Sequence, residues 1–255
     1  MAESIQPALQ IRGLAKRFGD KVAVAGIDLE VPTGSFFGLV GPNGAGKTTT
    51  LSMATGLLRP DAGRVTVHGI DVWQAPVQAK RIIGNLADGV RLFDRLTGEQ
   101  LITYTAMMFG IPRPDIAPRV ADLLAMMDLR EAAGTIVADY SAGMTKKVAL
   151  ACALVHAPRL LVLDEPFESV DPVSAANIED VLRGYTASGG SVIVSSHSMD
   201  LVQRMCDHVA ILAGGSVLAA GTVDEVRAGE SLQERFMALV GGRHVGEGPA
   251  WLQQS

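Results

Sequence analysis

The sequence predicts an α/β fold: a mixed β-sheet core with an antiparallel β subdomain and an inserted helical lobe. Three observations predict it. An apolar run, Phe36 to Val40, leads through the glycine-rich stretch Gly41 to Thr49 into a helical pattern that closes at Gly56. A second apolar run, Leu160 to Leu163, ends on the carboxylates Asp164 and Glu165. Between these, over about residues 88–157, the periodicity is helical and no strong strand pattern interrupts it. A strand–helix alternation that stops for a block of helices and then resumes is an α/β core carrying an insertion.

Taken in order, Leu9 to Phe18 and Val22 to Val31 alternate apolar and polar residues and predict antiparallel strands, with Gly19-Asp20 as the turn. Phe36 to Val40 is a buried strand, Lys47 to Gly56 a helix, and Arg64 to His68 a strand closed by Gly69. A short helix over Val77 to Arg81 and a strand over Ile82 to Ala87 precede the lobe. In the lobe, Thr97 to Phe109, Ile116 to Met127 and Thr145 to His156 predict helices, with Met107, Met108, Met126 and Met127 expected in its core. The α/β pattern resumes with the strand Leu160 to Leu163, the helix Pro172 to Ala187, the strand Ser191 to Ser195 and the helix Ser198 to Cys206. Two strands around Gly214-Gly215 and two helices, Val223 to Ala228 and Leu232 to Val240, complete one domain over residues 1–240. Residues 241–255 are glycine-rich without periodicity and read as a loose tail.

Composition bounds the function. The chain has 255 residues, 48% of them hydrophobic, enough for one sizeable core. A net charge of −5 argues against the basic stripe of a nucleic-acid binder, so no nucleic acid partner is expected. No apolar stretch reaches the roughly 18 residues that a membrane span needs; the best candidate, Val148 to Leu163, is broken by His156, Pro158 and Arg159. Met1 to Gln10 lacks a basic segment with an apolar run behind it, so no secretory signal is expected. Cys152 and Cys206 stand far apart without metal-ligand spacing and read as buried thiols of a cytoplasmic protein.

Two stretches carry chemistry. Gly41, Pro42, Asn43, Gly44, Ala45, Gly46, Lys47, Thr48 and Thr49 lie between strand and helix, the context of a phosphate-binding loop. Glycines let the backbone turn its N–H groups inward, and the helix start adds a positive dipole end. Lys47 would reach the outer phosphates and the Thr48 hydroxyl would ligate Mg²⁺. Asp164, at its strand's carboxyl end, would hold the same Mg²⁺, and Glu165 would orient and deprotonate an attacking water. Ser191 to Ser195 should run beside the Asp164 strand, which brings His197 to the same edge, within reach of a γ-phosphate and of Glu165.

The order of motifs — phosphate loop, helical insertion, Tyr140-Ser141-Ala142-Gly143-Met144, Leu163-Asp164-Glu165-Pro166, Ser196-His197 — resembles the ATP-binding subunit of ABC transporters over about Leu9 to Val240. The resemblance implies a P-loop NTPase of ABC type that binds ATP and Mg²⁺. It implies that Phe18 stacks on adenine, although that residue reads equally as a core aromatic. Ser141, Gly143 and Met144 match the signature that meets the γ-phosphate bound by a second subunit, a copy of this chain or a paralogous ATPase. Asp171 matches the loop that crosses between subunits. Tyr140, Ala142 and Met144 depart from the usual Leu-Ser-Gly-Gly-Gln signature and resemble the branch serving ABC-2 type exporters. Asp88 stands where the family has a glutamine; a carboxylate there could see Mg²⁺ through water but lacks the amide donor, which makes it a modifier of rate. The implied protein is an ATP-hydrolysing motor, cytoplasmic and peripheral on the inner face of the membrane, driving a separate transmembrane permease. An importer subunit and a soluble ABC ATPase without a transport role stand as alternatives. A P-loop kinase does not account for the Ser-x-Gly-Met motif, and a GTPase needs an Asn-Lys-x-Asp reader that the sequence lacks.

Overall fold

Strand alternation decides the layers. Along β3 (Phe36–Val40) every residue is buried, and Phe36 and Val40 join one apolar cluster while Phe37 and Leu39 join another. β7 (Leu160–Asp164) divides likewise, with Leu161 and Leu163 on one side and Leu160 and Val162 on the other. A strand buried on both faces belongs in the middle of a layered α/β core. A computed structural model describes residues 6–89 and 92–240, and it has that layering. The expected tail, 241–255, and the first five residues of the chain lie outside the described residues.

The large sheet has six strands in the order β10-β9-β3-β8-β7-β6. β6 (Ile83–Leu86), β7, β8 (Ser191–Ser196), β3 and β9 (His208–Ala213) run parallel, and β10 (Ser216–Thr222) closes the edge antiparallel to β9. The second sheet, in the order β2-β1-β4-β5, is antiparallel: β1 (Leu9–Phe18), β2 (Lys21–Val31), β4 (Ala62–Val67) and the two-residue β5 (Ile70–Asp71). α1 (Lys47–Ala54) lies between the sheets, touching β1, β2 and β4 on one side and β7 on the other. Its Leu51, Met53 and Ala54 are buried in the cluster that the two sheets share.

After α2 (Pro76–Arg81) and β6 the chain makes α3 (Gly98–Met108), α4 (Arg113–Met126), a 3-10 turn (Val137–Asp139) and α5 (Ala142–Leu154) before it returns to the sheet as β7. Thr97 starts α3 with a capping box to Gln100, which satisfies two amides at once. Pro114 sits in the first turn of α4, where its missing N–H costs least, whereas Pro118 lies in the second turn and removes one interior hydrogen bond. α6 (Pro172–Ala187), α7 (Met199–Met205), α8 (Val223–Arg227) and α9 (Leu232–Leu239) cover the remaining face of the large sheet.

Three expectations are corrected. Met107, Met108 and Met126 are exposed, and of the four lobe methionines Met127 alone is in the core. The core face of α3 is Leu101, Ile102 and Ala106, which turns the residues at its end outward. His68 and Gly69 do not simply close a strand: both have positive φ and turn the chain into β5. The helix expected from Thr145 begins at Ala142, because the Ser141 hydroxyl caps it.

Candidate functional site

The parallel strands bring their carboxyl ends to one edge, where ligands of such sheets bind. β3 delivers Gly41 to Thr49 there. A Cβ on Gly41 would collide with the Leu212 carbonyl, and one on Gly46 would come within 2.6 Å of the Ala23 carbonyl. Gly46 also has φ +105 and is the N-cap of α1. The loop therefore needs glycine for close approach and for a left-handed turn. No acidic residue occupies the first turn of α1, so its amides remain an anion site. The buried Lys47 donates from Nζ to the Gly41 carbonyl at 2.8 Å and lies 3.4 Å from Glu165 Oε1.

β7 and β8 pair with Asp164 opposite Ser195. The Ser195 hydroxyl donates to Asp164 Oδ1 and accepts from the Glu165 N–H at 2.9 Å. One buried hydroxyl thus fixes both carboxylate residues. Glu165 has φ +46, uncommon for a residue other than glycine. Its Oε2 accepts from His197 Nδ1 at 3.1 Å, so the ring carries its hydrogen on Nδ1. Its carbonyl accepts from Lys146 Nζ at 3.0 Å.

Phe18, Pro42 to Thr49, Asp88, Glu165 and His197 line one cleft of about 480 Å³. Phe18 is half exposed at its mouth, offering a ring face rather than filling the core. Gly41 and Asp164 are buried and do not line it. Ser141, Gly143, Met144 and Asp171 are outside it as well. They gather at the starts of α5 and α6. Ser141 caps α5 by accepting from the Met144 N–H, and Asp171 caps α6 by accepting from the Val173 and Ser174 N–H groups. Those bonds, Ser174's first, hold the Asp171 carboxyl below the usual carboxylate range. A Cβ on Gly143 would fall 2.6 Å from Ser174 Oγ and 2.7 Å from Asp171 Oδ2, so the two caps are in contact.

The donor set fits Mg²⁺. Thr48 is exposed to the cleft, and Asp164, at the end of β7, directly precedes Glu165, which lines it. Among the described residues no cluster of three His, Cys, Asp or Glu could hold a metal alone. That suits an ion held by one or two protein oxygens together with phosphate and water. Sequence reasoning missed Lys21, Ala23 and Glu168 in the cleft lining, and Ser195 and Lys146 around Glu165. Ser195 had a signal, a polar residue at an inward position of an apolar strand; Lys146 had none.

The chain is similar to known proteins. The family described as ABC transporter matches residues 24–168. The linearmycin resistance ATP-binding protein LnrL of Bacillus subtilis is 35% identical over 214 residues, covering 84% of this chain and 69% of that protein. The ABC transporter ATP-binding protein NatA of Bacillus subtilis is 34% identical over 232 residues, covering 88% of this chain and 94% of that protein. A solved structure of an ATP-binding subunit of an ABC transporter superposes with a TM-score of 0.85 at 28% identity, over 91% of this chain and 99% of that one.

Proposed function

The chain belongs to the ABC transporter ATPase family, and on that premise we propose that it is the ATP-hydrolysing motor of an exporter whose membrane pore is a separate permease. The observation that carries the chemistry is Glu165. It is held between Lys47 and His197, at the edge of a cleft made by the phosphate loop.

Phe18 stacks on the adenine, the Gly41–Thr49 amides receive the phosphates, and Lys47 neutralises charge on the outer ones. Thr48 and Asp164 would hold Mg²⁺, which supplies positive charge to the phosphoryl group in transfer. Glu165 takes a proton from the attacking water, and His197 orients it. Asp88 adds negative charge beside the phosphates and tunes the rate.

Two chains, identical or paralogous, close face to face on two ATP molecules. Ser141, Gly143 and Met144 face the γ-phosphate bound by the partner, which agrees with their position outside this chain's own cleft. Asp171 lies at the same junction. Residues 1–240 act as one ATP-binding domain, with a helical lobe over about 88–157. On the lobe, Tyr104, Met107 and Met108 share a helix face and are exposed, next to exposed Phe93 and Phe109. Such a patch suits docking to cytoplasmic helices of the permease, which supports a peripheral position on the inner face of the membrane. No helix among the described residues is long and apolar enough to cross a membrane. Export is supported by a relative named for linearmycin resistance and by another, from Cupriavidus metallidurans, named as a Nod factor export ATP-binding protein.

The test is Glu165→Gln. Turnover should fall by a factor on the order of a hundred or more while ATP binding persists. Hydrolysis at the wild-type rate would show that Glu165 is not the base.

A further inference from the structure

We propose that Lys146 is a positioning residue that ties the signature helix α5 to Glu165, so that the state of one ATP site reaches the base of the other. The inference rests on the reading of Glu165 as base and of Ser141 as the contact to the partner's nucleotide.

The backbone of Glu165 is the starting point. It has φ +46 and precedes Pro166, and a residue before proline is pushed toward extended backbone. A sparsely populated conformation persists only where its surroundings over-determine it. Two side chains hold this backbone directly. Ser195 accepts from the Glu165 N–H at 2.9 Å, and Lys146 donates to the Glu165 carbonyl at 3.0 Å. Ser195 belongs to β8, inside the rigid sheet. Lys146 belongs to α5, the helix that Ser141 caps.

Among the described residues Lys146 meets no carboxylate; the Glu165 carbonyl is the acceptor of its ammonium. The next residue, Lys147, is buried and has an acidic partner in Asp128 at 3.8 Å. An ammonium at a half-buried site, bonded to a peptide carbonyl, makes a charge-assisted bond that, together with the Glu168 N–H donating to the same carbonyl at 3.2 Å, sets the plane of that peptide. Lys146 lies a little over one turn from the Ser141 cap on an unbroken helix, so a shift of the cap carries the ammonium with it. A shift of the Glu165 peptide swings the carboxylate that His197 and Lys47 otherwise hold. Contact of Ser141 with the partner's γ-phosphate therefore aligns this chain's own base.

The experiment uses the full chain and measures kcat, ATP binding and melting temperature for Lys146→Met, Lys146→Arg, Ser141→Ala, the Ser141→Ala/Lys146→Met double variant and Glu165→Gln. Lys146→Met should lower kcat by about tenfold or more, as a misplaced base does, while ATP affinity stays within about twofold. Lys146→Arg should recover most of the rate. Ser141→Ala should cost less in the Lys146→Met background than in the wild type, because both act through one element. Lys146→Ala, favourable to helix, is the second truncation should Lys146→Met not fold. Wild-type kcat in a truncated variant, no rescue by arginine, or losses that simply multiply would overturn the assignment of Lys146. If Glu165→Gln hydrolyses ATP at the wild-type rate, the underlying choice of base has failed instead.

Discussion

Gly143 shows how tightly one residue can be specified. It stands in the first turn of α5, where a Cβ would enter the space of Ser174 Oγ and Asp171 Oδ2, the groups that start α6. Gly143→Ala should push the two helix starts apart and destabilise the protein by about 1–3 kcal/mol, the range for overpacking a filled site. It should also depress ATP turnover more than that loss explains, since the signature would no longer present its amides correctly. Urea unfolding and steady-state hydrolysis measure the two effects; an unperturbed variant would mean that the caps have room to move. At this scale the sequence was informative wherever a residue type had one chemical use. Lys47, Asp164 and Glu165 stood out by type and spacing, and the structure sets Lys47 3.4 Å from Glu165. Lys146 did not, because a lysine in a helix is ordinarily a solvated surface group, and only the fold reveals that its ammonium ends on the Glu165 carbonyl.

Elements were legible where burial repeats. β3, β7 and β8 are wholly buried, so their apolar runs stand out. The two-residue β5 offers no period to read and depends on a turn at His68-Gly69. Met107, Met108 and Met126 were misjudged because α3 and α4 each bury one narrow face, and a methionine at a helix end carries no mark of which way it points; Met127 was read correctly.

The seam between lobe and core holds a testable group. His156 follows α5 and stacks on Phe109 with ring centroids 3.7 Å apart, and its Nε2 lies 3.0 Å from the Ile83 carbonyl. A carbonyl only accepts, so Nε2 carries the hydrogen, and Nδ1 is buried without a partner among the described residues. Burial pushes the His156 pKa below its ordinary value, with the Ile83 bond opposing. The unfolded chain therefore takes up the proton first. Stability is full above the unfolded value, about 6.5, and falls as pH drops from there toward the folded value. Urea midpoints at pH 7.5 and 5.5 should differ less in His156→Gln than in wild type. Some dependence should remain, since burial shifts His68 in the same direction. Equal pH dependence in both proteins would remove His156 as a contributor.

For the whole molecule, Ser141, Gly143, Met144 and Asp171 lie outside the cleft that Lys47 and Glu165 line, although α5 reaches Glu165 through Lys146. On the proposed reading, that separation is what a protein completed by a second copy requires. The exposed face of Tyr104, Met107 and Met108 then remains for a different partner. Changing Met108 to Glu should leave ATP hydrolysis of the isolated chain near wild type and weaken that second association, since it places a charge in an apolar contact.

The most direct test of the transport assignment is recovery of the partner. The Glu165→Gln protein, tagged and expressed in its native cell, is supplied with ATP and Mg²⁺, extracted from detergent-solubilised membranes and analysed by mass spectrometry, with the Glu165→Gln/Met108→Glu protein beside it. The account predicts one polytopic membrane protein in stoichiometric amount with the first and much less with the second. Recovery only from the soluble fraction, or together with ribosomes, would contradict it and leave the ATP chemistry without a transporter to drive.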